Sequence, residues 1–562
     1  MMNSKLLSLA MVTAASAASL TFSQQLQAAS IDPQKPNILV VVADDLGFAD
    51  LGSFGGEIET PNLDALAQSG VRMTNFHTAP ACSPTRAALL TGVDPHKAGL
   101  GNMAEEMAPN QEGKPGYEGY LNNRVVSLAT LLKDAGYNTY LSGKWHLGRG
   151  EGKTPDARGF ERSFSLLVGG ASHWPDMRPA YAPTPEAKAP YTEDGVLLTR
   201  LPDTFKYSSQ FYADKMIEYI AADKDNGAPF FGMLSLTAPH WPLQAPDAAI
   251  EKYKGRYDAG FDALFAERLQ KQKEMGLVPS NAEGAPRPPK GRAWDSLSAE
   301  EQKVEKRAME VYAAMVDEMD VHTGRVFDYL KQHGLYENTV VVFLSDNGAE
   351  GHDLDETWPA DQFPKIRKTI DETNDFSYEQ MGRPGSYTLY GPNWAWAGAP
   401  AFKLHKGFPT DGGTRSIAII KAPGVQANAI NDSLAAVEDV TPTLLELAGV
   451  KHPGDEYKGR EVEPVSGLSL IPVLNGKAEA GERVLGGELF GKRFIRKGDW
   501  KLVHLSKPWG TDEWALYNLK DDVAERNDLS AANPQKLAEL KQVWEAYAEQ
   551  NNVILPSWVS GY

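Results

Sequence analysis

The chain has 562 residues, of which 42% are hydrophobic and 23% are charged. This length exceeds what one ordinary hydrophobic core needs, so we expect two domains, one of them large. The composition is typical of a folded globular protein rather than a disordered or fibrous one. A formal net charge of −18 excludes a general nucleic-acid binder, which needs a basic excess. A small anion is still an acceptable ligand, because a local group of cations can hold it.

Residues 1–29 are predicted to be an export signal. Lys5 gives a short positive start, the apolar run Leu6–Phe22 follows, and the small residues Ala28–Ser30 offer a cleavage region. An uncleaved N-terminal anchor is the alternative. No later apolar run approaches the ~20 residues of a membrane span. We therefore expect an exported protein, periplasmic or secreted, with no membrane span in the mature chain and monomeric by default.

Buried strands are predicted where β-branched and aliphatic residues run together. These runs are Asn37–Val42, Phe230–Leu236, Thr339–Leu344 and Ser416–Lys421. Helical patterns lie between them at Asn62–Gln68, Val125–Asp134, Ser298–Lys331 and Val440–Ala448. This alternation indicates an α/β fold in which helices sandwich a large, mostly parallel sheet.

The composition changes near residue 480, which divides the chain into a catalytic domain at 36–478 and a smaller domain at 479–562. Arg493–His504 and Ala515–Leu519 resemble short antiparallel strands, and Pro534–Gln550 is a predicted helix, so the second domain is expected to be α+β. Ser280–Arg292 and Gly351–Pro400 are predicted loops. The second is long enough to shape an entrance to a site.

Two acidic pairs follow predicted strands directly. Asp44 and Asp45 come after the first strand, and Asp346 and Asn347 come after a later one. Ligands of such sheets gather beyond the carboxyl ends of the strands. Adjacent carboxylates repel each other unless a cation lies between them, and this all-oxygen set suits Ca²⁺ or Mg²⁺. The alternative is that each pair caps a helix or forms a turn.

The only cysteine, Cys82, opens the segment Cys-Ser-Pro-Thr-Arg. Ser83 is a good N-cap and Pro84 suits the first helical position, so a helix is predicted to begin here and to end near Gly92. Cys82 would lie just outside its N-terminus, where unpaired N–H groups and the helix dipole favour an anion. Arg86, one turn further, can reach back toward that anion. A buried and inert cysteine is the alternative.

Lys144 and His146 are two residues apart in Gly-Lys-Trp-His-Leu-Gly. On an extended segment both side chains point to the same side, so both can reach one anion. A solvent-facing lysine and a core histidine are the alternative.

Cys-x-Pro-x-Arg, followed by a small apolar helix, resembles the signature of the formylglycine-dependent sulfatases, and the likeness runs from Asn37 to the final helix. It is closest to the bacterial arylsulfatases, which accept threonine at the fourth position, here Thr85. In this family a separate enzyme oxidises the motif cysteine to an aldehyde. The resemblance therefore implies an alkaline phosphatase-like fold, 3-oxoalanine (formylglycine) at residue 82, and a formylglycine-generating maturation enzyme as partner.

The resemblance also implies a ligand set. One Ca²⁺ per chain, with Mg²⁺ as the alternative, would be bound by the modified Cys82 and by Asp44, Asp45, Asp346 and Asn347.

Three further residues match substrate-site positions of the sulfatase family. Lys144 and His146 match positions that carry these residues in family members, and His240, in Ala-Pro-His-Trp-Pro, resembles the substrate-contacting histidine. Trp241 is expected to form a wall of the pocket. The other histidines considered are expected to be structural or at the surface: His77, His96, His173, His322 and His333.

Lys406 matches a family lysine, although Asp411 stands where glutamate is usual. Lys403 and His405 are near enough that a shifted assignment remains open.

The implied reaction is hydrolysis of a sulfate monoester. One hydroxyl of the hydrated aldehyde attacks sulfur, with Asp346 as the base, while the second hydroxyl later expels sulfate after His146 removes its proton. Arg86 orients residue 82.

The remaining cationic or protonatable groups act on the substrate. Lys144, His240 and Lys406 hold the sulfuryl group, and either His240 or Lys406 protonates the leaving oxygen.

Three other functions are alternatives to sulfate ester hydrolysis. The chain could be a phosphonate or phosphate ester hydrolase with the same aldehyde, a non-catalytic protein that binds sulfated glycans, or an enzyme whose unmodified Cys82 is a thiol nucleophile. The leaving group is set by the loops. The aromatic segment Tyr387–Trp396 is expected to favour aryl sulfates, although alkyl, choline and sugar sulfates present the same reacting end.

Overall fold

The computed structural model describes residues 35–476 and 482–558. Within these residues the large domain is built on a ten-stranded sheet. The strands lie side by side in the order Ala429–Asn431, Val71–Met73, Ala418–Lys421, Thr339–Ser345, Asn37–Ala43, Phe230–Ser235, Asn138–Lys144, Arg162–Leu166, Tyr191–Glu193 and Val196–Leu197. The predicted export signal and the predicted domain boundary at 478/479 lie outside the described residues.

The middle five strands of this sheet are parallel. Asn37–Ala43 pairs with Thr339–Ser345 on one side and with Phe230–Ser235 on the other. Antiparallel pairs lie toward both edges. The predicted α/β fold is confirmed, and the sheet is mixed, with a parallel centre.

The central strand is buried on both faces, which explains its uninterrupted apolar run. Alternate side chains of Asn37–Ala43 enter two different hydrophobic clusters. Ile38 packs in the cluster that includes helix Cys82–Thr91, and Leu39 packs in the cluster that includes helix Ala299–Gln332. A strand in this position needs no polar face.

The α-helices lie on both faces of the large sheet, in its connections and, in the case of the last one, in the C-terminal domain. They are Pro61–Ser69, Cys82–Thr91, Pro95–Ala98, Leu128–Asp134, Ser208–Asp223, Asp247–Lys252, Gly260–Glu274, Ala299–Gln332, Leu354–Thr357, Pro364–Thr373, Gly391–Gly398, Asp411–Thr414, Val440–Leu447, Ile471–Leu474 and Pro534–Gln550. Two small sheets pair Phe76–His77 with Ala435–Ala436, and Glu456–Tyr457 with Arg460–Glu461.

Two predicted boundaries were wrong. The helix expected from Val125 begins at Leu128, because the side chain of Ser127 caps it by accepting from the N–H of Thr130. The expected loop Gly351–Pro400 contains three helices.

The helix that carries the cysteine also begins earlier than predicted. Cys82 is its first residue, and Ala81 is an N-cap without a side-chain hydrogen bond. Ser83, predicted as the cap, has a buried hydroxyl with no hydrogen-bond partner among the described residues. Gly92 ends the helix in the left-handed region, at φ 69°, as the sequence predicts.

The second domain is a four-stranded antiparallel sheet with one long helix against it. Its strands are Val484–Leu489, Lys492–Lys497, Trp500–His504 and Trp514–Asn518. Helix Pro534–Gln550 packs on this sheet through Leu540 and Trp544. The expected α+β unit is therefore confirmed. In residues 35–476 and 482–558, no helix has the length and apolar character needed to cross a bilayer.

A buried ion network joins the two domains. Lys501 of the C-terminal sheet is fully buried, and its Nζ lies 2.6 Å from Asp411 Oδ1 and 3.0 Å from Glu525 Oε1. The N–H of Asp411 donates to Glu525 Oε2 at 2.9 Å. We name residues 403–415, which include Asp411, the lysine loop. The second domain thus holds this loop against the large domain.

We predict that Lys501→Met lowers the free energy of unfolding by about 3–5 kcal/mol, because it removes the nearest cation of the buried carboxylates Asp411 and Glu525 and leaves Asp411 only its 3.5 Å contact with Arg415. Urea denaturation would measure the change. Lys497→Met is the matched control from the same sheet, since the Lys497 ion pairs are partly exposed and such pairs contribute about 1 kcal/mol or less. Equal losses in the two variants would contradict the prediction.

Candidate active site

The site lies where three strands of the large sheet end. The N–H of Asp44 donates to the carbonyl of Ala238 at 3.1 Å, and the N–H of Asp346 donates to the carbonyl of Ala43 at 3.1 Å. The N–H of Asp45 then donates to Asp346 Oδ1 at 3.2 Å. These backbone bonds bring both predicted acidic pairs to one point of the sheet edge.

Asp44 is neutralised from the side by a neighbouring strand. Lys144 ends the strand Asn138–Lys144, and its Nζ lies 2.9 and 2.7 Å from the two oxygens of Asp44. Burial would raise the pKa of Asp44, but Lys144, His240 and Arg86 outweigh burial and lower it. Asp44 is therefore held as a carboxylate.

Arg86 connects the cysteine helix to the second acidic pair. Its Nε and Nη2 lie 2.9 and 2.7 Å from Asp346 Oδ2. Its Nη1 donates to the carbonyl of Lys144 at 3.2 Å and to Ser235 Oγ. These contacts with one oxygen of Asp346, and those of Nη1, fix the first turn of helix Cys82–Thr91 against the strand ends.

Side chains from three other segments contact Asp45. Asn347 Nδ2 donates to its Oδ1 at 2.7 Å, Lys406 Nζ lies 3.0 Å from its Oδ2, and His240 Nε2 lies 3.6 Å from the same oxygen. Burial raises the pKa of Asp45, and the negative charges of Glu350 and Asp346 add to this rise against the effect of Lys406. Ionising Asp45 is therefore harder at this buried position than in water.

Cys82 faces this cluster. Its Sγ lies 3.4 Å from Asp44 Oδ1 and 3.9 Å from Asp45 Oδ1, and the residue is 1% exposed. Burial raises the pKa of the thiol well above its usual value. One ligand atom each from Asp44, Asp45, Cys82 and His240 lies within 4.8 Å of the others.

Asn347 supplies an observation that favours a cation here. Its Oδ1 is buried and accepts no hydrogen bond within the described part of the chain. A buried amide oxygen without a partner is costly, and this one belongs to a residue that also bonds Asp45. Together with three carboxylates it forms a set of oxygen donors that suits a hard divalent cation.

His146 is placed differently from the prediction. It lies in the left-handed region at φ 56°, so the expectation of one extended segment is wrong at this residue. Its Nε2 lies 2.9 Å from Glu105 Oε1, which Tyr181 Oη also contacts at 2.9 Å. Burial would raise the pKa of Glu105, but His146 and these hydrogen bonds lower it to about 2. Nothing in the spacing of the sequence marks Glu105 as this partner.

The backbone of His240 is contacted by His173, which was predicted to be structural. His173 Nε2 lies 3.1 Å from the carbonyl of His240, and His173 Nδ1 lies 2.7 Å from Ser208 Oγ. Burial lowers the pKa of His240 to about 3 despite the carboxylate of Asp44. The ring is therefore neutral in this environment.

The lysine loop brings Lys406, rather than its neighbours, to the cluster. Lys403 Nζ instead bonds Tyr517 Oη and the carbonyl of Glu525. His405 Nδ1 lies 3.2 Å from the carbonyl of Lys406. The geometry thus favours Lys406, rather than Lys403 or His405, as the match to the family lysine.

The other predicted structural histidines have ordinary partners outside this site. His77 contacts Asn75, His96 contacts Asp94, His322 contacts Glu318 and His333 contacts the carbonyl of Tyr329.

A narrow cavity of about 10 Å³ lies over Cys82. Its lining is Cys82, Met103, Glu105, His146, Gly169, Tyr181, His240, Trp241, Trp358 and Lys406. A wider cleft of about 340 Å³ shares Glu105, His146 and Tyr181 with it and is also lined by Tyr120, Arg149 and Lys153. The expected wall residue Trp241 is present, whereas Met103, Tyr181 and Trp358 were not predicted.

The aromatic segment Tyr387–Trp396 does not line this cavity. Trp394 is fully buried among Tyr257, Phe261 and Trp294, and Trp396 stacks on Phe265 at 3.7 Å. The expectation that this segment contacts the leaving group was wrong for both tryptophans, because the segment forms helix Gly391–Gly398 and packs into the core.

The sequence matches the family model described as Sulfatase over residues 36–450. It is 44% identical over 537 residues to an uncharacterized sulfatase of Schizosaccharomyces pombe, covering 93% of this chain and 95% of that protein. It is 40% identical over 462 residues to an arylsulfatase of Klebsiella aerogenes, covering 81% of this chain and 95% of that protein.

The fold has relatives among solved structures. The crystal structure of Ps i-CgsB in complex with k-i-k-neocarrahexaose gives a TM-score of 0.63 at 23% sequence identity, covering 94% of this chain and 95% of that one. At this identity the likeness concerns the fold alone.

Proposed function

Because this chain belongs to the sulfatase family and is a sulfuric ester hydrolase, we propose that it cleaves aryl sulfates to a phenol and sulfate, using an aldehyde made from Cys82 and a bound divalent cation. One observation carries the proposal. Cys82 begins a buried helix with its Sγ 3.4 Å from Asp44, in a small cavity that it shares with His146, His240 and Lys406.

The surroundings of Cys82 favour an aldehyde over a thiol nucleophile. Two carboxylates face the Sγ, and nearby negative charge opposes a thiolate. A formylglycine at this position would, when hydrated, offer two hydroxyls on one carbon, one that could attack sulfur and one that could expel sulfate. Since Cys82 is buried, the proposal includes a maturation enzyme that acts before the chain is folded.

The cation would be held by Asp44, Asp45, Asp346, Asn347 and the modified residue 82. It would neutralise the buried carboxylates and lower the pKa of an oxygen at residue 82. The unpartnered Oδ1 of Asn347 supports this set. We favour Ca²⁺ and keep Mg²⁺ as the alternative, because both prefer oxygen ligands.

Around the attacking group we propose two proton acceptors. Asp346, held by Arg86, would accept the proton of the first hydroxyl. His146 Nε2 lies 2.9 Å from Glu105 Oε1, and a carboxylate can only accept, so we assign the ring proton to Nε2. Nδ1, which is buried and has no hydrogen-bond partner in the described residues, would then accept the proton of the second hydroxyl. A carboxylate that fixes a histidine tautomer in this way also stabilises the imidazolium.

Three groups are proposed to act on the ester. Lys144, His240 and Lys406 would hold the sulfuryl oxygens, whose negative charge suits donors placed in advance. The leaving oxygen would take its proton from Lys406, or from His240 once the anionic ester beside it raises the pKa of its ring. All three side chains are buried, so water competes little for these contacts.

The walls of the small cavity support an aryl leaving group. Met103, Tyr181, Trp241 and Trp358 surround it, and aromatic and thioether side chains present flat, polarisable surfaces to a ring. We also propose, from residues 1–29, that the enzyme is exported, and that it acts as a monomer.

We predict that Ca²⁺ raises the thermal unfolding midpoint relative to the protein in EDTA, and raises it more than Mg²⁺ does. A ligand at 100 times its Kd stabilises by about 2.7 kcal/mol. Asn347→Ala should reduce this gain, whereas Asp320→Asn should keep it, because Asp320 is a buried carboxylate that bonds Asn62 and Leu63 instead. An equal gain in both variants would refute the ligand set.

We predict that the wild type hydrolyses 4-nitrophenyl sulfate faster than a 4-nitrophenyl phosphonate monoester, and that Cys82→Ala loses about 10³-fold or more in kcat. Cys82→Ser offers one hydroxyl and cannot expel sulfate, so it should retain a covalent sulfate after one turnover, visible by mass.

Faster cleavage of the phosphonate than of the sulfate would favour the phosphonate hydrolase. Turnover in Cys82→Ala would exclude this nucleophile, and no turnover by the wild type would favour a binding protein.

A further inference from the structure

The ammonium of Lys406 lies between two carboxylates. Its Nζ is 3.0 Å from Asp45 Oδ2 and 3.0 Å from Glu350 Oε2, and all three side chains are buried. A lysine side chain is long and flexible, and fixing it costs up to about 2 kcal/mol of conformational entropy. A reactive position for this ammonium therefore requires contacts that hold it there.

The other oxygen of Glu350 is fixed by a single residue. Glu350 Oε1 accepts from the backbone N–H of His352 at 2.8 Å and lies 2.7 Å from His352 Nδ1. The His352 ring is parallel to Phe408, with centroids 5.7 Å apart, and meets His405 edge to face at 4.7 Å. The Glu350 carboxylate cannot turn without breaking these contacts, so Oε2 stays directed at Lys406.

The two carboxylates beside Lys406, those of Asp45 and Glu350, differ in their other contacts. Asp45 also contacts Asn347 and His240, and it is one of the proposed cation ligands. A carboxylate that shares its charge with a divalent cation attracts an ammonium less strongly. Glu350 is outside the proposed ligand set: its Oε1 faces His352 and its Oε2 faces Lys406.

We propose that Glu350 is a positioning residue for Lys406, and that His352 fixes Glu350 in turn. Glu350 holds the ammonium over the small cavity that Lys406 shares with Cys82, where it meets the sulfuryl group. This inference rests on the proposed role of Lys406 in holding that group. It assigns a function to a segment, residues 350–352, that follows the strand-end pair Asp346 and Asn347.

A double-mutant cycle tests the coupling. Glu350→Gln should lower kcat/KM for 4-nitrophenyl sulfate about 10²-fold, the size expected when a group that contacts the reacting centre is displaced by about 1 Å. In the Lys406→Ala background the same substitution should change kcat/KM by less than about 2-fold, because the group it positions is absent. Equal losses in both backgrounds would show a general structural effect and overturn the proposal.

His352 offers an independent pair of variants. His352→Asn keeps a side-chain N–H near the place of Nδ1 and should retain most of the activity. His352→Leu removes this donor and should lower kcat/KM in the same direction as Glu350→Gln, again without effect in the Lys406→Ala background. This pair decides the proposal if Glu350→Gln fails to fold. Equal activity of the asparagine and leucine variants would contradict it.

Two controls separate positioning from other effects. Glu310→Gln alters another buried glutamate, which accepts from the N–H of Gly255, and should keep wild-type kcat/KM. Ca²⁺ affinity measured by calorimetry should change far less than kcat/KM in Glu350→Gln, because Glu350 is not a proposed ligand of the cation. If that affinity falls by the same factor as kcat/KM, Glu350 acts through the cation and the proposal fails. An inactive wild type would instead refute the proposed function.

Discussion

The burial of opposite charges at the carboxyl edge of the large sheet is the constraint on which the rest of the structure depends. The carboxylates are Asp44, Asp45, Asp346 and Glu350, and the cations that face them are Arg86, Lys144 and Lys406. A pair of unit charges 4 Å apart is worth about 4 kcal/mol at an effective dielectric constant of 20, and an unpaired buried charge is strongly destabilising. These residues come from distant parts of the sequence. These charges therefore meet their partners only in the folded sheet, and losing one partner would leave the other buried and unpaired.

The C-terminal domain takes part in this arrangement, although none of its residues at 482–558 lines the cavity. Lys501 and Glu525 clamp Asp411, and Asp411 belongs to the lysine loop that carries Lys406. From the other side, Glu350 holds the ammonium of Lys406. The loop is thus fixed at both its base and its functional end. The aspartate at position 411 serves this docking, which explains why its difference from the family's usual glutamate leaves Lys406 in place.

The residues that the sequence identifies are those whose local pattern and chemistry coincide. Asp44 follows an apolar strand and Cys82 opens a helix, so each could be placed from its neighbours. Glu105 and Trp358 could not be, because they reach the cavity from irregular or short segments whose course depends on tertiary packing. The aromatic segment near Trp394 shows the reverse error: its composition suits a pocket wall, but its helix buries the rings in the core. Local pattern indicates chemistry, while packing decides which side chains line the cavity.

The central claim is that the working nucleophile is an aldehyde made from Cys82, and the mass of the tryptic peptide Met73–Arg86 tests it most directly. Active protein should yield a peptide in which one oxygen replaces the sulfur and two hydrogens of the cysteine side chain. Treatment with a hydrazine reagent should shift this peptide by the mass of a hydrazone, and should leave the peptide from Cys82→Ala unchanged. Recovery of Cys82 only as an intact thiol, from protein that turns over aryl sulfate, would contradict the account.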